Sequence, residues 1–204
     1  MIVRGVSIND MIGQSMAVLT KPGISTFEEF EKRGGEREAL TYVGVAAAIS
    51  GVAALVFGLL GGITAALVSG IFAFLIPVIS FYVSAMVIHY VGTSQGGTGT
   101  KGEVFYTLAL FMAPILAING AVSSIPLLNC LALPLTFALG IYQIYLGYLG
   151  IRSSMNLDQN KAIITMVVAF LIQLAIGFVL TVALGLVMAT LGIVPASMPP
   201  VTTP

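Results

Sequence analysis

Side chains able to do chemistry are few in this chain, and their spacing suits none of the common reactions. His89 is the single histidine among 204 residues, and no acidic residue lies near it in sequence. A Ser/His/Asp triad or a zinc site needs partners that one histidine and distant loop carboxylates do not supply. Cys130 is the single cysteine, which rules out an intramolecular disulfide and a CxxC centre. The run Gly97-Thr98-Gly99-Thr100-Lys101-Gly102 spells GxGxxG. That motif holds a dinucleotide only between a strand and a helix of a βαβ unit. Here long apolar segments flank it, and no Lys-Ser/Thr pair follows at Walker spacing. The expectation is a cytoplasmic turn. Asn119, Asn129, Gln143 and Gln173 are the notable neutral polar groups. Asn119 and Asn129 are expected near an outer loop, and the two glutamines in hydrogen bonds between helices. The chain therefore reads as a non-enzyme, with no catalytic residue, no metal and no cofactor.

The elements that carry these residues follow from composition and charge. Hydrophobic residues make up 58% of the chain and charged residues 8%, against roughly 25% charged in a soluble domain. Too few polar groups remain to cover a water-facing surface, and lipid is the solvent that fits. No Asp, Glu, Lys or Arg occurs in 39–88, 104–151 or 162–204. A charge at the centre of a spanning helix costs about 2.5–3.5 kcal/mol, so the charged clusters mark chain in water. The first two charge-free stretches each exceed twice the roughly 20 residues of one span, and so hold a helical hairpin each. The predicted fold is an all-α integral membrane protein, a five-transmembrane-helix bundle behind a short amphipathic cytoplasmic N-terminal region. Spans are expected near 41–60, 64–90, 104–122, 128–151 and 161–191, within a membrane domain of 39–192. Residues 1–38 form the cytoplasmic segment, and 193–204 a Pro-rich extracytoplasmic tail.

Five spans place every Lys and Arg on one side: the N-terminal segment, the loop near 100 and the loop near 156. The positive-inside rule then puts the N-terminus in the cytoplasm and the C-terminus outside or in a lumen.

Local patterns add detail. Ile8, Met11, Ile12, Ser15, Met16 and Leu19 recur at helical spacing, predicting an amphipathic helix packed beneath the bundle or lying on the membrane. Ser25-Thr26-Phe27-Glu28 has capping-box spacing and predicts the start of a second, charged segment, FEEFEKRGGEREAL. Small residues at four-residue spacing (Ala47/Gly51, Ala54/Gly58/Gly62, Ala66/Gly70) predict close helix contacts, as do Gly140, Gly147 and Gly150 on the fourth span. Such faces serve packing within the chain first and association with a second copy otherwise. Pro77 and Pro114 fall inside spans and are expected to kink them. The last span, about 30 residues or roughly 45 Å, must tilt or project beyond the bilayer.

This layout resembles the Yip family, the Ypt/Rab-interacting five-span membrane proteins. The resemblance runs through LTKPGISTFEEF (19–30), GTGTKGEVFYTLALFMAPILAINGAVSSIP (97–126) and LGIYQIYLGYLGIRSSMNLDQNKAIITMVV (139–168). It implies a cytoplasmic N-terminal region, a helical bundle and no catalysis. Eukaryotic members act in membrane trafficking and bind Rab-type GTPases and relatives of their own family. The Asp-Leu-Tyr-Gly-Pro motif of those members is absent, and the N-terminal region is short. The chain therefore resembles a short prokaryotic-type member, which implies the cell membrane; a eukaryotic member would imply Golgi or ER membrane.

The functional expectation is a membrane scaffold or adaptor that recruits partners on its cytoplasmic face. Phe27, Phe30, Glu28, Glu29, Lys32 and Arg33 are the expected partner contacts. The alternative is a conduit or scramblase for lipid or a neutral solute, shaped by the prolines. Expected partners are membrane lipid, a cytoplasmic protein or other family members, and further copies of the chain, but no nucleic acid.

Overall fold

A computed structural model describes residues 5–125 and 129–190. The described residues form helices and turns: α1 (Ile8–Thr20), α2 (Ile24–Phe30), α3 (Glu36–Gly58), α4 (Ile63–Ser94), α5 (Lys101–Ser124), α6 (Asn129–Met155) and α7 (Gln159–Thr190). A single 3-10 turn, Leu59–Gly61, joins α3 to α4. Five helices, α3 to α7, are long and apolar enough to cross a membrane. The fold is the five-helix bundle that the charge gaps predicted. The expected tail, 193–204, lies outside the described residues.

Helices α3, α5 and α7 begin before their expected starts, because the local chemistry at the water side favours helix. Glu36 and Glu38 occupy the first turn of α3, where acidic groups meet the positive end of the helix dipole. Thr100 and Glu103 cap α5 reciprocally: Glu103 N–H donates to the Thr100 hydroxyl at 3.3 Å, and Thr100 N–H to the Glu103 carboxylate at 2.7 Å. The helix therefore begins in water, ahead of the apolar run.

Helix α5 is central. Eight consecutive residues from Val104 to Phe111 are buried, covering every face, which is the mark of a helix surrounded by others. Helices α3 and α4 pack closely, with α5 against α3 and α6, and α7 on the side of α4 and α6. The α3–α4 contact uses the small residues. A methyl added at Gly51 would sit 3.0 Å from the Gly70 carbonyl, and one at Gly58 2.8 Å from Ala66 Cα. Backbones this close gain dispersion contacts that substitute for the missing hydrophobic drive in lipid. The fourth-span glycines divide differently from expectation. Gly150 faces Thr107 and Phe111, but Gly140 and Gly147 have open space where a side chain would begin.

Helices α4 and α5 continue through Pro77 and Pro114, and α6 contains Pro134, which the sequence reading passed over. Each proline removes one N–H from its ladder. Gln173 accepts a hydrogen bond from the Ser84 hydroxyl, joining α7 to α4 as expected of a neutral polar group in lipid. Only Ala162, Thr165 and Ala169 of α7 are buried, so most of that helix presents Leu, Val and Phe to the bilayer.

Candidate functional site

Most charged side chains gather at one end of the bundle, and hydrogen bonds fasten the pieces together there. Lys101 of α5 meets Glu36 of α3 at 3.0 Å and lies over the rings of Tyr82 and Phe105. Thr98 N–H donates to the Met155 carbonyl at 3.1 Å, and Asn156 Nδ2 to the Thr98 hydroxyl at 3.2 Å. The N-terminal segment, the loop near 100 and the loop near 156 thus share one surface.

The glycine run serves this closure. A methyl on Gly99 would overlap the Ser154 carbonyl, and one on Gly97 would come within 2.8 Å of the Gly92 carbonyl. Gly96 adopts φ +89°, a left-handed conformation open to glycine. The loop lies between two membrane helices, so its glycines let backbone meet backbone at the end of α6.

Three tyrosine hydroxyls hold α1 against the bundle. Tyr106 of α5 donates to Gln14 Oε1 at 2.7 Å. Tyr42 of α3 and Ser15 share a hydrogen bond of 3.0 Å, and Tyr142 of α6 donates to the Leu19 carbonyl at 2.6 Å. The buried face of α1 is accordingly Met11, Gln14, Ser15 and Val18. Ile8, Ile12 and Met16, on the stripe that the periodicity picked out, are exposed.

Helix α2 begins at Ile24 with Gly23 as its cap and no side-chain cap bond. The predicted capping box at Ser25 and Glu28 does not form; Ser25 lies inside the first turn. The turn before it is closed instead by the Thr26 hydroxyl, which donates to the Lys21 carbonyl at 2.9 Å.

The expected contact residues separate by helical face. Phe27 is 0% exposed and meets Phe111 edge-on at 6.2 Å; Phe30 is 7% exposed beneath the Arg33 guanidinium. Both aromatics hold α2 down, so neither is a surface contact in this conformation. Glu28, Glu29, Lys32 and Arg33 are exposed, and Arg33 pairs with Glu29 at 3.0 Å.

Glu31 was not singled out by the sequence reading. It is 4% exposed, and its Oε2 accepts the Ser153 hydroxyl of α6 at 2.7 Å. Lys32 approaches its other oxygen at 3.8 Å. Burial pushes the Glu31 carboxyl above its ordinary value, against the opposing pull of the Ser153 hydrogen bond and Lys32. The available signal was the i, i+3, i+4 spacing of Phe27, Phe30 and Glu31, which places the carboxylate on the aromatic face. Between α1 and α2 lies a recess of about 630 Å³, lined by Asp10, Gln14, Phe30 and Arg33 among others.

No three His, Cys, Asp or Glu side chains among the described residues come together as metal ligands. The Yip1 domain model matches residues 16–195, nearly the whole chain. The chain belongs to the Yip1-domain family. No curated protein and no solved structure gives a significant match. The matched region takes in all five membrane helices, together with the end of α1 and the whole of α2. The Yip1 domain in this chain therefore comprises the bundle with α2 and the last turn of α1.

Proposed function

We propose that this Yip-family protein is a non-enzymatic membrane adaptor for trafficking or sorting, which recruits a cytoplasmic protein at the charged end of its bundle. One observation carries this reading: Glu28 and Glu29 on α2, with Lys32 and Arg33 in the turn after it, are exposed on a segment locked to the bundle, beside the recess between α1 and α2. A binding epitope on a fixed helix loses less conformational freedom on association than one on a loose tail. The segregation of Lys and Arg supports a cytoplasmic location for this end. Glu28, Glu29, Lys32 and Arg33 supply the polar contacts, while Phe27 and Phe30 act indirectly by holding α2 in place.

The test is affinity capture in mild detergent, comparing the intact chain with a combined variant in which Glu28, Glu29, Lys32 and Arg33 are all alanine. A partner kept by the intact chain and lost by the equally inserted variant supports the proposal. Identical partner sets for the two would refute it.

A further inference from the structure

Helix α1 is turned inside out for a helix in water. Gln14 and Ser15 are buried against the bundle, while Ile12 and Met16 are 48% and 58% exposed. Polar groups inward and large apolar groups outward reverse the usual order, and suit a surrounding solvent of lipid. The sequence agrees. Between Asp10 and Glu28 it has one charged residue, Lys21, in the turn that joins α1 to α2. Polar groups near that turn find partners within the segment. The Thr20 hydroxyl donates to the Met16 carbonyl at 2.6 Å, and the Thr26 hydroxyl to the Lys21 carbonyl at 2.9 Å. Chain in hydrocarbon needs such internal partners.

The contacts of α1 and α2 with the spans give their depth. The Leu19 carbonyl accepts from Tyr142, which is ten residues before Arg152, roughly 15 Å along α6 at 1.5 Å per residue. Phe27 meets Phe111 edge-on, and Phe111 is eight residues past Glu103, roughly 12 Å along α5. One leaflet of a bilayer core is about 15 Å deep, half of roughly 30 Å. Both contacts therefore fall inside the charge-free stretch 104–151, on helices that cross the membrane. The Tyr142 ring lies 6.4 Å from that of Tyr145, which is exposed on α6 beside Ile144. The end of α1 is thus continuous with surface that α6 turns to lipid. The stem of Lys21 is long enough for its amine to reach back toward the headgroups.

We propose that α1 and its turn into α2 are set into the charged-end leaflet, with Ile12 and Met16 among the acyl chains of its phospholipids. The exposed capping box of Ser7 and Asp10 then lies on the headgroup side. A second copy of the chain, or a cytoplasmic protein, is the competing occupant of this face.

The chain contains no tryptophan, so a single introduced one reports its own surroundings. Four variants of the full chain are reconstituted in phosphatidylcholine vesicles, with plain or mid-chain brominated acyl groups: Met16→Trp, Ile12→Trp, Leu171→Trp and Asn160→Trp. Leu171 is 58% exposed on α7 and is the lipid reference; Asn160, exposed beside Lys161, is the water reference. Iodide on both sides of the membrane is the aqueous quencher. Met16→Trp and Ile12→Trp should each lose at least about half as much fluorescence to brominated lipid as Leu171→Trp does, as for an interfacial helix face. Iodide should quench both far less than Asn160→Trp. Iodide quenching equal to that of Asn160→Trp would place the face in water and overturn the proposal. Protection from both quenchers would overturn it equally, by showing that protein covers the face.

Discussion

Tyr106 and Gln14, far apart in the chain, are joined by a 2.7 Å hydrogen bond that ties the central membrane helix to the helix preceding all the spans. Both groups are buried, so neither has bulk water as a substitute partner. Tyr106→Phe should leave the Gln14 amide oxygen unpaired, at a cost of about 1–3 kcal/mol. Hydrogen exchange should quicken at α1 amides while the interior of α5 stays protected. Gly34 lies on the same ring, where an added methyl would overlap Tyr106. Gly34→Ala is therefore expected to loosen the same junction.

Docking of α2 should depend on pH. Burial raises the Glu31 carboxyl above its ordinary value, so the folded state holds this proton more tightly than the open state. The associated stability is complete below the ordinary carboxylate range and is lost as pH rises through the raised folded value. Above that window the dependence levels off. A spin-label pair between α2 and α6, followed across pH, should show tighter docking on acidification. Glu31→Gln should remove the dependence and remain docked, because the amide oxygen still accepts from Ser153. An unchanged pH profile in Glu31→Gln would assign the dependence to another group.

The loop near 100 should be intolerant of a side chain at one position in particular. Gly99→Ala puts a methyl against the Ser154 backbone, and overpacking of this kind costs about 1–3 kcal/mol. Thermal unfolding in detergent should show a clear loss for Gly99→Ala and little for Gly140→Ala, which enters open space. Equal loss for both would show that the Ser154 contact does not govern the effect.

The overall fold was legible because lipid makes charge placement decisive. The gaps between charged clusters gave five spans without reference to any motif. Helix starts were less legible, since Glu36, Glu38 and the Thr100–Glu103 box extend helices into water beyond the apolar windows. The face of α1 was legible only in part. Of the periodic stripe, Met11 and Ser15 turn inward while Ile8, Ile12 and Met16 are exposed, and the Tyr106 hydroxyl draws in Gln14, which lies outside the stripe. Hydrophobic spacing carries no signal for a polar partner on a distant helix. The same holds for Glu31, whose burial depends on Ser153. Phe27 and Phe30 are expected as partner contacts but are buried in the bundle, because two aromatics on a short helix suit a partner or a core equally well.

The orientation proposed from the positive-inside rule is open to direct chemical test. In a Cys130→Ser background, Leu60→Cys and Asn160→Cys place single thiols at opposite ends of the bundle. Leu60 is 80% exposed, and Asn160 is exposed beside Lys161. A membrane-impermeant maleimide should label Leu60→Cys in intact cells, and Asn160→Cys only after the cytoplasmic side is opened. The reverse pattern would invert the topology.

The adaptor role is tested most directly by site-specific photocrosslinking in native membranes, with the crosslinker placed at Glu29 in one form and at Leu60 in another. A discrete protein adduct from Glu29, absent from Leu60 and lost when the neighbouring charges are replaced, is the expected result. The same adducts from both positions, or none from Glu29 in a form shown to be inserted and photoreactive, would contradict recruitment at the charged end.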